Sequence, residues 1–452
     1  MKTVDIIKFL LLLTTSMVSA AGNDNDEIQK KYDGVRVFQA WSGVENLDHL
    51  DYNEQLAKHS LIFHDTYPLN QASWSDEGPA YRGLKTQLGK YSIEKAVRIN
   101  EILKKLNPDI KLIVSLNYRE GNFVPRNKET GKWWENGFFP PDSPYWLRND
   151  SGKKIVGWGE DTNLNGKIDD DDGVLTYLVD FTRPEVQDLI AKQALALKES
   201  GLYDGIFFDW MNENATSDDA SEEGWNPVLT NEEELEARIK LIRKVREKCG
   251  DDFIIMGNTN YNIEKKLAPL LNAVFMECYK ESYNKPYSGE ELEAIQAAVI
   301  FNRKNLASPA LVCLEGWRTG GKYNPDRQTR IAERNTSENM KMMRFFTAMS
   351  LTLTDGYVLF SDDNSIPFWD HAHNWYDFWD APIGKPVSSY QKLYNGIKGL
   401  YVREFENGWV IYNFSGSNQK IILPQKVKTV STNEPGIKFT IADRDGEIYI
   451  KL

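Results

Sequence analysis

The chain has 452 residues, of which 41% are hydrophobic and 27% are charged, and its formal net charge is −12. This composition excludes a disordered protein, three cysteines exclude a disulfide framework, and the negative charge argues against nucleic acid or an anionic membrane as a partner. Aromatic residues make up 12% of the chain, which fits either a large aromatic core or a surface that stacks on sugar rings.

Residues 1–20 have the features of a secretory signal peptide. Lys2 and Lys8 precede an apolar stretch, and the small residues Ser19 and Ala20 form a cleavage site. The apolar stretch is shorter than the roughly 20 residues that a membrane span needs. We therefore expect a secreted protein, extracellular or periplasmic, without a membrane anchor.

Short apolar runs alternate with helical patterns along residues 21–395, and this alternation predicts a parallel sheet built from βα units. The eight predicted strands are Val35–Ala40, Leu61–His64, Lys111–Leu116, Gly205–Asp209, Phe253–Gly257, Ala273–Glu277, Ala310–Glu315 and Gly356–Ser361. The predicted helices are Ile93–Leu106, Pro184–Ser200, Asn231–Lys248, Gly289–Asn305 and Ser337–Leu351. Eight strands with intervening helices predict an α/β fold, a (β/α)8 TIM barrel. A doubly wound open sheet is the alternative, and the lack of a glycine-rich phosphate loop after the first strand argues against it.

Two regions depart from this alternation. Residues 117–180, between the third and fourth strands, are an excursion rich in aromatic residues, proline and glycine, and a loop of this length is usually functional. Residues 396–452 contain short runs with alternating apolar residues, which predict a small antiparallel, β-sandwich-like C-terminal domain. These runs are Leu400–Phe405, Trp409–Phe414, Gln419–Leu423, Ile437–Ile441 and Ile448–Leu452.

A twelve-residue pattern inside the excursion matches a calcium-binding loop. Oxygen donors fill its ligand positions, and Gly166 occupies the position of the sharp turn. The ligand positions are Asp161, Asn163, Asn165, Lys167 through its backbone carbonyl, Asp169 and Asp172. We expect a structural calcium ion here and no organic cofactor. The alternative is an acidic surface loop that matches the pattern by chance.

Polar and aromatic residues gather where the predicted strands end. In a TIM barrel these ends share one face of the molecule, and the chemistry takes place there. Carboxylates that meet aromatic rings are typical of glycosidases, in which one carboxylic acid protonates the leaving oxygen and another carboxylate attacks or stabilises the anomeric carbon. The predicted substrate contacts are Trp41, Asp65, Tyr118, Trp210, Asn258, Trp317 and Asp362.

Three carboxylates are candidates for catalysis: Asp209, Glu277 and Glu315. Each of them closes an apolar run, and the abrupt change from apolar to charged residues predicts a carboxylate at the mouth of the barrel. A carboxylate held in a salt bridge inside the barrel is the structural alternative. Glu277 and Glu315 compete for the second catalytic role beside Asp209.

Two of these strands resemble a known family. The segments Asp204–Asp209 and Phe275–Glu277 resemble strands of hypothetical glycosyl hydrolase family fifteen, and the resemblance extends over residues 34–415. The chain is also similar to barrel enzymes that cleave galactosamine-containing exopolysaccharides. The resemblance implies that Asp209 is the nucleophile or base and that Glu277 is the general acid, which must stay protonated while the aspartate is ionised.

The sequence therefore predicts a secreted glycoside hydrolase that cleaves O-glycosidic bonds in an extracellular poly- or oligosaccharide. In the first alternative, a catalytically inactive carbohydrate-binding barrel, the carboxyl groups of Asp209 and Glu277 would lie more than about 10 Å apart or point away from each other. The second alternative, a metal-dependent hydrolase, needs a cluster of histidine and aspartate at the strand ends, for which only His64 and Asp65 give a hint. His371 and His373 are weak metal candidates, and a sugar contact or a surface position is favoured for them.

Overall fold

The computed structural model describes residues 34–64, 74, 86–122, 139, 142–160, 164–168, 174–218, 227–280, 283–322, 326–362 and 371–452. The strands are β1 (Arg36–Ala40), β2 (Leu61–His64), β3 (Lys111–Ser115), β4 (Glu120–Asn122), β5 (Val156–Glu160), β6 (Val174–Leu178), β7 (Gly205–Phe208), β8 (Ile254–Asn258), β9 (Ala273–Glu277), β10 (Leu311–Trp317), β11 (Tyr357–Ser361), β12 (Leu400–Phe405), β13 (Gly408–Asn413), β14 (Gln419–Thr429), β15 (Pro435–Ile441) and β16 (Asp445–Lys451). The helices are α1 (Tyr52–Ala57), α2 (Lys90–Leu106), α3 (Pro184–Glu199), α4 (Asn231–Cys249), α5 (Gly289–Asn305), α6 (Arg327–Arg334) and α7 (Ser337–Leu353).

Eight parallel strands close into a barrel in the order β1-β11-β10-β9-β8-β7-β3-β2. The predicted TIM barrel is thereby confirmed, and the open sheet is excluded. Each of the eight predicted runs coincides with a barrel strand to within two residues at either end. The sequence was informative because barrel strands are buried on both faces, so that they consist of nearly continuous apolar runs.

Capping residues fix where the helices begin. Thr230 and Glu233 exchange side-chain and backbone hydrogen bonds at the start of α4, and Ser288 and Glu291 do the same at the start of α5. Pro184 opens α3, where its missing N–H leaves no helical bond unmade. Among the described residues, no helix is both long and apolar enough to cross a membrane.

Four phenylalanines fill the barrel below its C-terminal face. Phe38, Phe63, Phe207 and Phe275 come from four different strands and are completely buried. The ring centroids of Phe63 and Phe207 lie 4.5 Å apart, and those of Phe63 and Phe275 lie 5.0 Å apart. Trp41 lies on this cluster, with its ring centroid 4.9 Å from that of Phe63. The barrel therefore ends in a packed aromatic floor, and any ligand must bind above it.

Two smaller sheets accompany the barrel. In the excursion, β4, β6 and β5 form an antiparallel sheet with β6 in the centre. The C-terminal strands form one antiparallel sheet in the order β12-β13-β16-β14-β15, as predicted for a small β domain. They do not form the two facing sheets of a sandwich, because a barrel helix packs against this sheet.

That helix is α7, which lies between the barrel and the C-terminal sheet. The guanidinium of Arg344 donates two hydrogen bonds, of 3.0 Å and 2.8 Å, to the carboxylate of Asp445. Beside this pair, Gly446 packs so closely on the helix that a Cβ there would collide with Ala348 and with the backbone carbonyl of Arg344. Glycine is thus required where the sheet meets the helix.

Candidate active site

The C-terminal ends of the barrel strands surround a cleft of about 840 Å³. Its walls carry carboxylates, amides and aromatic rings, a composition suited to a polar ligand with apolar faces. The lining residues are Trp41, Ser42, Glu120, Asp209, Trp210, Asn212, Asn258, Asn260, Glu277, Tyr279 and His371.

One amide group joins the two carboxylates at the centre of this cleft. The side-chain nitrogen of Asn258 donates to Asp209 Oδ1 at 2.9 Å and to Glu277 Oε2 at 2.7 Å. Laid end to end, bonds of 2.9 Å and 2.7 Å limit the separation of those two oxygens to about 5.6 Å. The amide cannot turn over freely, since Asn258 Oδ1 accepts the backbone N–H of Asn260 at 3.0 Å. The separation of more than 10 Å expected for an inactive barrel is not found.

Burial raises the pKa of both carboxylates, but the two groups accept different hydrogen bonds. Burial and the neighbouring carboxylates Glu315 and Asp209 raise the pKa of Glu277 to about 7, against the opposing effects of His371 and Asn258. Burial also raises the pKa of Asp209, and the hydrogen bonds from Asn258 and from the backbone of Trp210 oppose that rise. Asp209 therefore has two donors that favour its ionised form, while Glu277 is the group that can hold a proton at neutral pH.

The third predicted carboxylate, Glu315, lies behind the other two. Its side chain is completely buried, and it is not among the residues that line the cleft. Its Oε1 accepts a hydrogen bond from the hydroxyl of Ser361, and the Nδ1 of His371 lies 2.9 Å and 3.1 Å from its two oxygens. Glu315 and Glu277 are paired neighbours on β10 and β9. This arrangement favours Glu277 over Glu315 for direct contact with a substrate.

Aromatic side chains line the cleft on several sides. Trp210 is 46% exposed, and the guanidinium of Arg119 lies 4.6 Å from its ring centroid. Tyr279, just beyond β9, is 50% exposed. Trp41 contributes its ring from the aromatic floor. These rings offer apolar faces of the kind that stack on sugars.

Four residues of the cleft have left-handed backbone conformations. The φ angle is 42° at Trp41, 52° at Trp210, 48° at Asn260 and 67° at His371. This region is sparsely populated by residues other than glycine, and such strain is concentrated at functional sites. At Trp210 the strained peptide is held by Tyr118, whose hydroxyl donates to the Trp210 carbonyl at 2.7 Å.

Three of the predicted substrate contacts are buried side chains that do not line the cleft. Tyr118 is 1% exposed, and its hydroxyl also accepts a hydrogen bond from Arg238, so that it supports the cleft from behind. Trp317 is 1% exposed, because β10 continues two residues past its predicted end and keeps this ring inside the fold. Asp362 is also buried, and its carboxylate accepts hydrogen bonds from Asn374 and Tyr376. None of the three lines the cleft.

Other predicted residues lie outside the part of the chain that the structure describes. They are Asp65 and, in the calcium-loop pattern, Asp161, Asn163, Asp169 and Asp172. Asn165 and Lys167 are described, and Asn165 Oδ1 accepts the backbone N–H of Lys167 at 2.8 Å. The signal peptide of residues 1–20 also lies outside the described residues. The calcium site and the signal peptide remain predictions.

Several residues of the cleft were not predicted from the sequence. Asn260 and Tyr279 each follow the end of a barrel strand by two residues. The expectation that polar and aromatic residues at strand ends line the cleft could have included them. Glu120 opens the excursion, and its carboxylate accepts the hydroxyl of Thr176 at 2.7 Å. Ser42 and Asn212 lie in loops and gave no signal. His371 was expected to contact sugar or lie at the surface; it is 4% exposed and lines the cleft beside the catalytic candidates.

One group of three side chains in the described part of the chain could in principle hold a metal ion. Ligand atoms of Glu277, Glu315 and His371 lie within 4.8 Å of one another. The histidine nitrogen Nδ1 already contacts both oxygens of Glu315 at hydrogen-bond distance. We therefore interpret the group as an acid–base cluster and not as a metal centre.

One family model matches most of this barrel. The model of hypothetical glycosyl hydrolase family 15 matches residues 104–409, more than half of the chain. The matched segment contains barrel strands β3 and β7–β11, and with them both central carboxylates. No match is found among curated proteins.

Several solved structures are similar at low sequence identity. An α-amylase from Geobacillus thermoleovorans, complexed with acarbose, is 11% identical over 93% of this chain and 98% of that chain, with a TM-score of 0.46. A trehalose-6-phosphate hydrolase from Bacillus licheniformis is 13% identical over 93% and 100% of the two chains, with a TM-score of 0.47. The glycoside hydrolase domain of a PelA variant from Pseudomonas aeruginosa is 11% identical over 73% and 95%, with a TM-score of 0.37.

Proposed function

The chain belongs to hypothetical glycosyl hydrolase family 15, and from this membership we propose that Asp209 and Glu277 together cleave an O-glycosidic bond of a poly- or oligosaccharide. The protein is a glycoside hydrolase by family. The observation that carries the two-carboxylate mechanism is the shared Asn258 amide, which holds the two carboxyl groups beside each other at the centre of the cleft.

In this mechanism Glu277 is the general acid. With a pKa of about 7 it carries its proton at mildly acidic to neutral pH, and it can give that proton to the leaving oxygen. Activity is expected to fall as the pH rises above about 7, because the acid is then ionised. Burial and the negative charge of Glu315 on the adjacent strand both act in this direction.

Asp209 is the nucleophile. Retaining glycosidases hold their two carboxyl groups about 5–5.5 Å apart, whereas inverting enzymes separate them by about 6.5–9.5 Å to admit a water molecule. The limit of about 5.6 Å, set by the bonds of 2.9 Å and 2.7 Å to Asn258, applies to one oxygen of each carboxylate and allows the retaining arrangement, which is the one we propose. Attack by Asp209 would form a glycosyl-enzyme, which water then hydrolyses with Glu277 acting as the base.

Trp210 and Tyr279 provide the exposed rings that would stack on sugar units on either side of the scissile bond. Asn260, Asn212 and Glu120 add hydrogen-bonding groups for sugar hydroxyls. Export through residues 1–20 would place the enzyme outside the cytoplasm, where the substrate would be an extracellular glycan. A calcium ion in residues 161–172 would stabilise the excursion.

The test measures new reducing ends after incubation with soluble polysaccharides of neutral, amino and uronic-acid sugars. Asp209→Asn and Glu277→Gln should each lose activity by about 10³-fold or more on any glycan that the wild type cleaves. Asp251→Asn, at a fully exposed site, is the matched control and should keep full activity. Proton NMR of the first product should show the anomeric configuration of the substrate. Full activity of Asp209→Asn would contradict its role as the nucleophile. An inverted product would contradict the retaining mechanism.

A further inference from the structure

His371 lies between a buried carboxylate and the two central carboxylates. Its Nδ1 is 2.9 Å and 3.1 Å from the two oxygens of Glu315. An ionised carboxylate only accepts hydrogen bonds, so Nδ1 carries a proton when Glu315 is ionised. The only basic partner that the described ion pairs give to the completely buried Glu315 is this histidine. A buried charge of this kind requires an opposite charge nearby.

Aromatic rings surround the same imidazole. Its ring centroid lies 5.2 Å from that of Trp41, 5.5 Å from that of Phe275 and 5.7 Å from that of Trp317. The rings of Phe275 and Trp317 lie at steep angles to the imidazole, and together the three rings exclude water from it. Because burial alone favours the neutral ring, the carboxylate of Glu315 is the group that favours the positively charged imidazolium.

The charge would act on both central carboxylates. His371 lowers the pKa of Asp209 and that of Glu277 by electrostatic attraction, whereas Glu315 raises the pKa of Glu277. Among the described residues, the titratable groups that face His371 are Glu315 on β10, Glu277 at the end of β9 and Asp209 beyond β7, together with His373 from its own loop. Within that part of the chain His371 is the basic group that acts on both central carboxylates, and Arg119 adds its positive charge at Asp209 alone.

We propose that Glu315 keeps His371 as an imidazolium, and that this positive charge allows Asp209 to be ionised while Glu277 holds the catalytic proton. His371 and Glu315 are then positioning residues that set the charge of the cleft. The pair also explains why Glu277, and not Asp209, holds the proton. The negative charge of Glu315 lies next to Glu277 on the adjacent strand. This inference rests on the proposed roles of Asp209 and Glu277.

The first experiment needs no substrate. The chain contains five histidines, so nitrogen-15 NMR of histidine-labelled protein at pH 7 gives few ring signals, and the signal that is lost in His371→Gln belongs to this residue. We expect it to show both ring nitrogens protonated in the wild type, and one nitrogen protonated in Glu315→Gln. A neutral ring in the folded wild type would overturn the proposal, whatever the activity of the enzyme.

The second experiment records kcat/KM against pH on the glycan that the wild type cleaves. Removing the positive charge in His371→Gln should move both limbs of the profile to higher pH, by about 1 pH unit. In Glu315→Gln the acidic limb should move in the same direction. The basic limb should move less. Loss of the negative charge of Glu315 lowers the pKa of Glu277, whereas loss of the positive charge of His371 raises it. His49→Gln, at an exposed position, is the control and should leave both limbs in place.

The outcomes separate the two proposals. Lower rates with unmoved limbs in both cleft variants would mean that His371 and Glu315 serve only packing, and the inference would be wrong. If no glycan is cleaved by the wild type, the proposed function fails, and the NMR experiment still decides the charge of His371.

Discussion

The raised pKa of Glu277 makes a prediction about stability as well as activity. Its folded-state value of about 7 lies above the ordinary value of 4.5, so the folded protein binds this proton more tightly than the unfolded chain does. Below pH 4.5 the carboxyl is protonated in both states and costs nothing. Above pH 7 it is ionised in both states, and the folded state is destabilised in proportion to the difference between the two pKa values. At about 1.36 kcal/mol per pH unit, this difference amounts to about 3 kcal/mol.

Glu277→Gln removes the charge and keeps an oxygen that can accept the hydrogen bond from Asn258. The free energy of unfolding of the variant, minus that of the wild type, should therefore rise by about 3 kcal/mol between pH 4.5 and pH 8. Any effect of the substitution that does not depend on pH cancels in this comparison. Glu277→Gln should be inactive throughout this pH range. At pH 8 the variant would therefore be more stable than the wild type and would have no activity.

Urea unfolding followed by tryptophan fluorescence at pH 4.5, 6, 7 and 8 measures both proteins. Glu293→Gln makes the same chemical change at an exposed position on α5, and its difference from the wild type should stay within about 0.5 kcal/mol across these pH values. An increase of less than about 1 kcal/mol for Glu277→Gln would refute the reasoning, because the carboxyl would then not be perturbed enough to serve as the acid.

Four other features are open to test. Asn258→Ala removes the donor shared by the two carboxylates, so kcat/KM should fall at least about tenfold and the acidic limb of its pH profile should move to higher pH. Tyr279→Ala should raise KM about tenfold with a smaller effect on kcat, as measured by initial rates, because about 60 Å² of apolar contact with a sugar is lost. Tyr118→Phe leaves the buried Nε of Arg238 without an acceptor, while Nη2 keeps its bond to Glu234, and it should lower the free energy of unfolding in urea by about 1–3 kcal/mol. Calcium at millimolar concentration should raise the Tm, and an unchanged Tm in scanning calorimetry would count against a calcium site at residues 161–172.

The barrel could be predicted from the sequence because local patterns determine its parts. Apolar runs mark the strands, and capping residues such as Thr230 and Ser288 mark helix starts. The helices α1 and α6 also begin at capping residues, Asp51 and Asp326, but they were not predicted because they have only 6 and 8 residues, too few to show a helical period. The antiparallel sheet of the excursion was also missed, because its strands are short and separated by long stretches of chain.

The candidate site was only partly predictable, because the position of a residue at a strand end does not say where its side chain points. Asp209, Asn258 and Glu277 follow or end their strands, and their side chains turn into the cleft. Tyr118 lies at a similar place, but its hydroxyl contacts Arg238, which is 120 residues away in the sequence. His371 pairs with a carboxylate 56 residues earlier. Contacts between such distant residues leave no periodic pattern in a single sequence.

The packing of α7 has a consequence for the smallest active form of this enzyme. One side of the helix covers β10 and β11, which carry Glu315 and Ser361, and the other side is covered by the C-terminal sheet through Gly446 and Asp445. A shortened enzyme without residues 400–452 would expose the outer side of α7 to water and loosen the support of the strands behind the reacting groups. Residues 400–452 therefore stabilise the barrel through α7. Any transfer of the candidate active site to another protein must include them.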